Sequence, residues 1–414
     1  MAMISARVPF QRIAQKGPIA RWHAKLAARP ALARPPAYYV VCATVRVLNI
    51  VGLVMILSAS SVAALSNYGS SWYFFNRQLM WALVGVGAFV VASRVDYHVW
   101  RKAAPWLLVV AVMACAVVLV PGIGIYVDGS RRWLGAGFLR MQPSEIAKLA
   151  LLVGAAEVLA RRAGKLHDAA SWRPVLIMLG GLGLLVMKEP DLDSTIVLAL
   201  IAFALLIVGG VRTEHLMKLF GIAVLGATIL AFAAPYRRAR MFSFLHPGKD
   251  ASNTGYQISQ SLIALGSGGI NGVGLGAGRA KWMFLPNAHT DFIFAIIGEE
   301  LGFVGCLVVL GLFAGFGLVG FQVARRAPDT FGTLVAAGVT AWIVGQAAIN
   351  LGAVIGVLPV SGITLPFLSA GGSSLVITML GAGIVANVAR HGLQPRPKPA
   401  STRKARRRAP ARAS

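Results

Sequence analysis

Long runs of apolar residues alternate with short polar segments along most of the chain. Ten of these runs approach the length that a helix needs to cross about 30 Å of hydrocarbon. They lie near 45–65, 76–93, 104–121, 144–160, 174–187, 193–210, 216–234, 291–320, 331–358 and 371–389. The pattern predicts an all-α polytopic membrane protein of about ten transmembrane helices. A large extracytoplasmic loop, 235–290, is expected between helices 7 and 8.

The composition agrees with a membrane protein. Only 13% of the residues are charged and 57% are hydrophobic, whereas a soluble protein carries roughly twice that charged fraction. We expect one transmembrane bundle at 45–390, flanked by a basic tail at 1–44 and a second one at 391–414. The prolines and charges of the second tail are typical of segments that form no packed core.

The net charge of +26 is concentrated where a membrane protein faces the cytoplasm. Lys and Arg are abundant in both tails and occur in every second loop, at 94–102, 161–173, 212–218 and 325–326. Because cytoplasmic loops carry the excess of basic residues, both termini are predicted to be cytoplasmic. The distribution favours contact with anionic lipid over binding of nucleic acid.

Two loops on the opposite, outer side depart from this rule. Their basic residues are Arg131, Arg132 and Arg140 in the loop 122–143, and Arg237, Arg238, Arg240, Lys249, Arg279 and Lys281 in the loop 235–290. Positive charge on the outer side is explained either by an anionic substrate, such as a lipid-linked phosphate, or by anionic lipid headgroups.

A first polar cluster follows the outer loop 122–143, in Gln142-Pro-Ser-Glu-Ile-Ala-Lys148. Pro143 suits the start of a helix. Glu145 and Lys148 are three residues apart, so they share one face of that helix. The two side chains form either a structural ion pair or a site where Lys148 and an arginine of the preceding loop meet a phosphate.

A second polar cluster, Lys188-Glu-Pro-Asp-Leu-Asp-Ser-Thr195, joins the fifth and sixth spans with almost no loop. Asp191 or Asp193 at this position either caps the sixth helix or binds a cation or a sugar hydroxyl.

The stretch Lys281–Phe303 carries the most informative polar residues. A loop ends at Pro286, and an apolar helix is predicted to begin within His289-Thr-Asp291. Asp291 either caps that helix, where the dipole favours a carboxylate, or acts as a general base at the boundary of water and lipid. Glu299 and Glu300 follow about 12–14 Å further along the helix. Carboxylates at that depth are costly, so at least one should face the bundle interior and pair with a partner.

The segment 358–374 interrupts the bundle between the ninth and tenth spans. Two prolines and a Gly-Gly pair predict irregular or re-entrant backbone. Such backbone is tolerated in a membrane only where protein or water satisfies its polar groups. We expect this segment to line a cavity that faces the Lys281–Phe303 stretch.

Taken together, these stretches resemble one family, the SEDS proteins (shape, elongation, division and sporulation). The resemblance covers 45–390 and is closer to the division members than to the elongation members. Ala370 departs from the pattern, since the family often has tyrosine there. The matching motifs are Gly-Ser-Arg-Arg-Trp-Leu, Gln-Pro-Ser-Glu-Ile-Ala-Lys, Lys-Glu-Pro-Asp-Leu, Gly-Tyr-Gln, Leu-Pro-Asn-Ala-His-Thr-Asp-Phe-Ile-Phe-Ala-Ile-Ile-Gly-Glu-Glu-Leu-Gly and Leu-Pro-Phe-Leu-Ser-Ala-Gly-Gly-Ser-Ser.

The resemblance implies a peptidoglycan glycosyltransferase of septal wall synthesis. Its substrate would be lipid II, a disaccharide-pentapeptide carried on undecaprenyl diphosphate, at the outer face of the membrane. The family's essential aspartate falls on Asp291, its outer-loop tryptophan on Trp133, and its polar pair on Glu145 and Lys148. Trp133 either stacks on sugar or lies at the membrane interface. Further substrate-binding candidates are Arg131, Arg132, Asp191, Lys281, His289 and Ser373, whereas Glu299 and Glu300 are expected to be structural.

Our hypothesis is an inverting transfer in which Asp291 deprotonates the acceptor sugar's 4-hydroxyl, with Glu145 as the alternative base. The sequence requires no cofactor, although a divalent cation, Mg²⁺ or Mn²⁺, is compatible with a diphosphate leaving group. The resemblance also implies a class B penicillin-binding protein, a transpeptidase, and other division proteins as partners. Three alternatives stay open: a transporter that flips lipid II, a non-catalytic scaffold for division proteins, and an elongation polymerase.

Overall fold

The computed structural model describes residues 35–127, 130–137, 139–233 and 255–392. All ten predicted spans coincide with helices, and eight of the described helices are long and apolar enough to cross a bilayer. The elements are α1 (Pro36–Tyr68), α2 (Tyr73–Arg94), α3 (His98–Val118), β1 (Ile125–Val127), β2 (Ser130–Ala136), β3 (Leu139–Met141), α4 (Pro143–Arg161), α5 (Ala169–Lys188), α6 (Leu192–Gly209), α7 (Thr213–Ala233), α8 (Tyr256–Ser267), α9 (Ile293–Arg325), α10 (Thr330–Val354) and α11 (Gly372–His391).

The helices form an inner and an outer group. In α10 and α11, 72% and 78% of the membrane-length segment is buried in the protein, against 17% and 22% in α2 and α3. Most residues of α4 are buried as well. This explains how α4 accommodates Glu145, Lys148 and Glu157, because these side chains meet other helices instead of lipid.

The first helix starts earlier than the sequence pattern suggested. α1 begins at Pro36, so the predicted boundary of the tail at residue 44 was too late. Proline suits the first turn of a helix because its missing N–H has no partner there, and the residues that follow it are mostly apolar. Residues 1–34 and 393–414, which include most of the predicted tails, lie outside the described residues.

A small antiparallel sheet, β1-β2-β3, covers the start of α4. Arg131 lies opposite Tyr126, and Arg140 lies opposite Gly135. The sequence analysis did not predict these strands, because two of them are only three residues long and alternation of side chains over so few residues carries little signal.

The predicted span 291–320 is not one continuous helix. α9 is broken at Gly302, where φ is 68° and ψ is −166°. The glycine-rich segment 268–278 lies beside the break and supplies hydrogen bonds. The Val273 N–H donates to the carbonyl of Glu299 (3.0 Å), and the Phe303 N–H donates to the carbonyl of Gly269 (2.9 Å). The break is therefore satisfied by protein, as irregular backbone in a membrane must be.

The connecting segments gather at two opposite ends of the bundle. At one end, His98 Nε2 lies 2.7 Å from the carboxylate of Asp329, and the Tyr97 N–H donates to Asn387 (3.0 Å). These contacts join the loops α2–α3 and α9–α10 to the end of α11, all three of which were predicted to be cytoplasmic. The sheet, α8 and the segment 355–371 belong to the other end.

Candidate functional site

Asp291 lies on a short loop and not on a helix. α9 begins at Ile293, and its N-cap residue, Phe292, makes no side-chain cap. The N–H groups of Thr290 and Phe292 both donate to the carbonyl of Asn287, which has a φ of 55°. The predicted helix start within 289–291 was therefore wrong, because the turn at Asn287 uses these amides before the helix begins. The N-cap position of α9 belongs to Phe292 and not to Asp291.

The backbone around Asp291 is held by polar side chains from distant parts of the chain. The Asn350 amide of α10 donates to the carbonyls of Asp291 (2.8 Å) and Ile363 (2.7 Å). The Ser369 hydroxyl donates to the carbonyl of Thr290 (2.6 Å). The loop of Asp291 is thus fixed against the segment 361–370 by direct hydrogen bonds, and the cavity expected between the stretch 358–374 and this loop stays a prediction.

The backbone of Ala370 completes this contact. Its N–H donates to the carbonyl of His289 (2.9 Å). The interaction needs no side chain, so alanine serves here where the resembled family often has tyrosine. Gln78 of α2 braces the same turn by accepting from the N–H of Gly371 (3.2 Å).

A second carboxylate borders the same region. Asp193 Oδ2 accepts from the N–H of Gly362 at 3.0 Å. A methyl group placed on Gly362 would lie 3.0 Å from Asp193 Oδ2 and 3.9 Å from Asp291 Oδ2. Glycine at this position therefore leaves a small space that both carboxylates border. Residues Asp193 and Asp291 are both partly exposed there.

Asp191, in the second polar cluster, is the residue that caps α6. It is the N-cap of α6 and accepts from the N–H of Ser194 (3.0 Å). Its carboxylate also accepts from Gln142 Nε2 at 2.8 Å, and the residue is only 2% exposed. Ser373 is also buried and accepts from the backbone N–H of Gln142 (3.2 Å). Both residues tie α4 to its neighbours, and their predicted contact with substrate stays a prediction.

Glu145 and Lys148 form the ion pair that was one of the two predicted arrangements. Lys148 Nζ lies 2.8 Å from the Glu145 carboxylate, and both side chains are buried. The ammonium group also lies 5.6 Å from the ring centroid of Trp342. The pair lies in the first turns of α4, and Lys148 brings it into contact with α10.

Lys281, Glu299 and Glu300 close the glycine-rich segment onto α9. Lys281 Nζ lies 2.9 Å from Glu300 Oε1, and both side chains are almost fully buried. The Ser58 hydroxyl of α1 also donates to Glu300 (2.6 Å). Glu299 accepts from the N–H groups of Arg279 (2.7 Å) and Ala280 (3.2 Å). Both acids are paired, as expected, and the predicted substrate ligand Lys281 is the partner of one of them.

The basic residues of the sheet β1-β2-β3 and of the loop 235–290 differ in their contacts. Arg132 donates to the carbonyls of Glu189 (3.0 Å) and Pro190 (2.5 Å) and so anchors β2 to the turn before α6. Arg131 and Trp133 are partly exposed on the same strand. Arg237, Arg238, Arg240 and Lys249 lie outside the described residues.

His289 lies next to Asp291 with its ring against Phe74, at 4.5 Å between centroids. Burial lowers the pKa of His289 to about 4, because desolvation disfavours the charged imidazolium. The imidazole is therefore neutral near pH 7 and adds no positive charge to the site.

The structure joins several predicted residues into one network at this end of the bundle. Asp291 connects through Asn350 and the segment 361–373 to α6 and α4. The sequence alone marks Asp193 as a capping or binding candidate without joining it to Asp291, and it indicates no role for Asn350, Ser369 or Gln78. Contacts across such long stretches of chain leave no local pattern, although an amide inside an apolar helix is a sign that Asn350 has a polar partner.

Relatives of known name share most of this chain. It is 43% identical over 365 residues to the probable peptidoglycan glycosyltransferase FtsW of Mycobacterium tuberculosis, which covers 87% of this chain and 69% of that protein. It is 41% identical over 345 residues to the stage V sporulation protein E of Bacillus subtilis, which covers 82% and 93%.

Solved structures share the fold. One chain, from a study titled as the structural coordination of polymerization and crosslinking by a peptidoglycan synthase complex, has a TM-score of 0.73 at 28% identity and covers 88% of this chain and 100% of that one. The rod shape determining protein RodA of Thermus thermophilus has a TM-score of 0.64 at 26% identity and covers 88% and 99%. Residues 38–394 match the family of FtsW, RodA and SpoVE, described as cell cycle protein, and the chain belongs to this family of polytopic membrane proteins.

Proposed function

We propose that this chain is a peptidoglycan glycosyltransferase that polymerises lipid II at the outer face of the bacterial cytoplasmic membrane during septal synthesis. Relatives named as peptidoglycan glycosyltransferases support the activity, and the apolar helices support a multi-pass membrane protein. The observation that carries the proposal is the setting of Asp291. The residue is partly exposed on a loop whose carbonyls are fixed by Asn350 and Ser369.

The reaction that fits this setting is a single displacement. Asp291 takes the proton from the 4-hydroxyl of the acceptor sugar as the hydroxyl oxygen attacks the anomeric carbon of the donor chain. A new carbon–oxygen bond forms while the bond to the diphosphate oxygen breaks, and the electron pair leaves with undecaprenyl diphosphate. One displacement inverts the anomeric configuration. A positioned general base contributes about 10²–10⁴-fold to such a step.

The leaving diphosphate needs positive charge. Arg131 on β2 and the exposed Arg279 are the described outer basic residues that we assign to this role. Among the residues that the structure describes, no three His, Cys, Asp or Glu side chains form a group that could hold a metal ion. A Mg²⁺ or Mn²⁺ ion, if bound, would be held largely by the diphosphate itself and would supply further positive charge to the leaving group, which is a common way for proteins to use Mg²⁺.

The geometry also favours Asp291 over Glu145 as the base. The Glu145 carboxylate is buried and bonded to Lys148, so a proton from an incoming hydroxyl would have to reach a closed ion pair. Asp291, by contrast, is partly exposed on the loop before α9.

The deeper polar residues argue against a transporter. A path through the membrane needs polar side chains that face a cavity. Here the Asn350 amide donates to the carbonyls of Asp291 and Ile363, and the Gln346 amide donates to the carbonyl of Thr364 (2.9 Å). Glu299 and Glu300 are bonded to the glycine-rich segment. These groups support the outer loops and do not line a continuous polar path.

The partner is the second part of the proposal. The solved structure with the highest TM-score quoted above comes from a complex whose title joins polymerization to crosslinking. A cognate class B penicillin-binding protein would supply crosslinking to the glycan made by this chain. Other division proteins and enrichment at the septum belong to the same proposal.

Purified protein and lipid II separate these functions. The chain is reconstituted in liposomes with fluorescent lipid II, alone and together with a cognate class B penicillin-binding protein. We expect glycan strands on a gel, with more product when the partner is present. Movement of lipid II across the bilayer without polymer would instead favour the transporter, and folded protein that gives neither product with the partner would contradict the proposal.

A further inference from the structure

We propose that Asp193 is a positioning residue for Asp291, a role that rests on the glycosyl transfer proposed above. Asp193 is the second residue of α6 and follows the capping residue Asp191. Asp191 already accepts from the Ser194 N–H (3.0 Å). The start of α6 therefore has its cap, and Asp193 Oδ2 is directed instead to the N–H of Gly362 (3.0 Å) on another segment.

Gly362 is the point where the two acids meet. Each has a carboxylate oxygen within 4 Å of the position that a methyl group on Gly362 would occupy. Gly362 is exposed and both acids are partly exposed, so this meeting point lies at the surface of the bundle. A hydroxyl group entering this space would reach Asp291 beside the backbone that Asp193 holds.

The hydrogen bond to Gly362 reaches Asp291 through one further residue. Ile363 follows Gly362, and its carbonyl shares the Asn350 amide with the carbonyl of Asp291 (2.7 and 2.8 Å). Asp193 thus restrains one end of a short path, Gly362–Ile363–Asn350, and Asp291 lies at the other end. Loss of the restraint should let the segment shift and move Asp291 away from its productive position, and small displacements of catalytic groups are costly in rate.

The role requires an oxygen acceptor and not a charge. An asparagine at position 193 keeps a carbonyl oxygen that accepts from the Gly362 N–H, whereas an alanine does not. We expect Asp193→Ala to lower kcat for glycan synthesis about tenfold with the KM for lipid II changed less than twofold. Asp193→Asn should keep at least half of the wild-type kcat.

The matched control is Asp168, which accepts from the Ala170 N–H (3.2 Å) at the start of α5. Asp168→Ala removes a similar hydrogen bond at the other end of the bundle and should leave kcat within twofold of wild type. Elution from a sizing column and melting temperature, measured on all variants, verify that the compared proteins are folded.

A kcat for Asp193→Ala within twofold of wild type would overturn the inference. So would an Asp193→Asn variant as slow as Asp193→Ala, since that result would assign the effect to the charge. Asp291→Asn is included as a reference. If wild type polymerises and Asp291→Asn does not, the proposed function stands whatever Asp193 does. If wild type with its partner makes no polymer, the proposed function itself fails.

Discussion

Asp291 depends for its position on residues far away in the chain. An acid at the outer edge of an apolar run was recognisable from sequence, because carboxylates are rare beside hydrocarbon. Its environment was not, because the turn at Asn287 and the amide of Asn350 act through backbone atoms. The candidate side chain could therefore be predicted from the sequence, but the residues that surround and hold it could not.

The neutral state of His289 makes stability depend on pH. The pKa of this imidazole is about 4 in the folded protein and about 6.5 in an unfolded chain. Between these values the unfolded state binds a proton that the folded state lacks, so stability is complete above about pH 6.5 and falls as the pH is lowered towards 4. We expect this fall to reach about 1–3 kcal/mol.

The variant His289→Phe tests this dependence, since phenylalanine keeps a ring against Phe74 and cannot bind a proton. Melting temperatures are compared at pH 7 and pH 4.5. The loss on acidification should be smaller in the variant than in wild type. Equal losses in the two proteins would show that His289 does not control the effect.

The buried pair Lys281–Glu300 predicts that substitutions of its two members have strongly non-additive effects on the free energy of unfolding. Both side chains are almost fully buried at 2.9 Å, so Lys281→Met leaves a carboxylate without its counter-charge. Breaking a buried pair in this way costs about 3–5 kcal/mol. The free energy of unfolding is measured for Lys281→Met, Glu300→Gln and the double variant. The double variant should lose clearly less free energy of unfolding than the two single variants lose together. Strictly additive losses would argue against the pair.

At the scale of elements, helix positions followed from the sequence and helix breaks did not. Each predicted span was placed on an apolar run long enough to cross a bilayer, and each coincides with a helix. The break in α9 depends on Gly302 meeting the glycine-rich segment, and a single glycine inside an apolar helix is usually tolerated without a break. The strands β1 and β3 were missed because they are too short to show a pattern.

Gly302 offers a direct test of the broken helix. Its φ of 68° favours glycine, and a Cβ there would collide with the backbone of Gly272 and Ile270. We expect Gly302→Ala to lower the free energy of unfolding by more than about 1 kcal/mol and to reduce polymerisation. Gly311→Ala is the control, since a Cβ at this helical position of α9 meets nothing within 4 Å. Equal stability of the two variants would contradict the described break.

At the scale of the molecule, the distribution of basic residues along the chain and the contacts between loops both distinguish the two ends of the bundle. The sequence predicts four basic loops inside, and the structure joins two of them, α2–α3 and α9–α10, to the end of α11 through His98, Asp329 and Asn387. The network around Asp291 could not be assembled from the sequence, because its parts come from separate stretches of the chain, namely α4, α6, α9, α10 and the segment 355–371.

The orientation is tested with single cysteines. The native residues Cys42, Cys115 and Cys306 are free thiols and are replaced first. Ser70 and Lys165 are exposed in loops at opposite ends of the bundle. A thiol reagent that does not cross membranes should label Ser70→Cys in intact cells and Lys165→Cys only after permeabilisation. The reverse result would invert the topology.

The proposed mechanism depends above all on the carboxylate of Asp291, so the decisive measurement is the rate of glycan synthesis from lipid II by purified Asp291→Asn protein. This change keeps the shape of the side chain and removes its basicity. The account predicts a rate at least about 100-fold below wild type, with expression and melting temperature unchanged and with Asp168→Asn fully active. A rate for Asp291→Asn within threefold of wild type would contradict the assignment of Asp291 as the base.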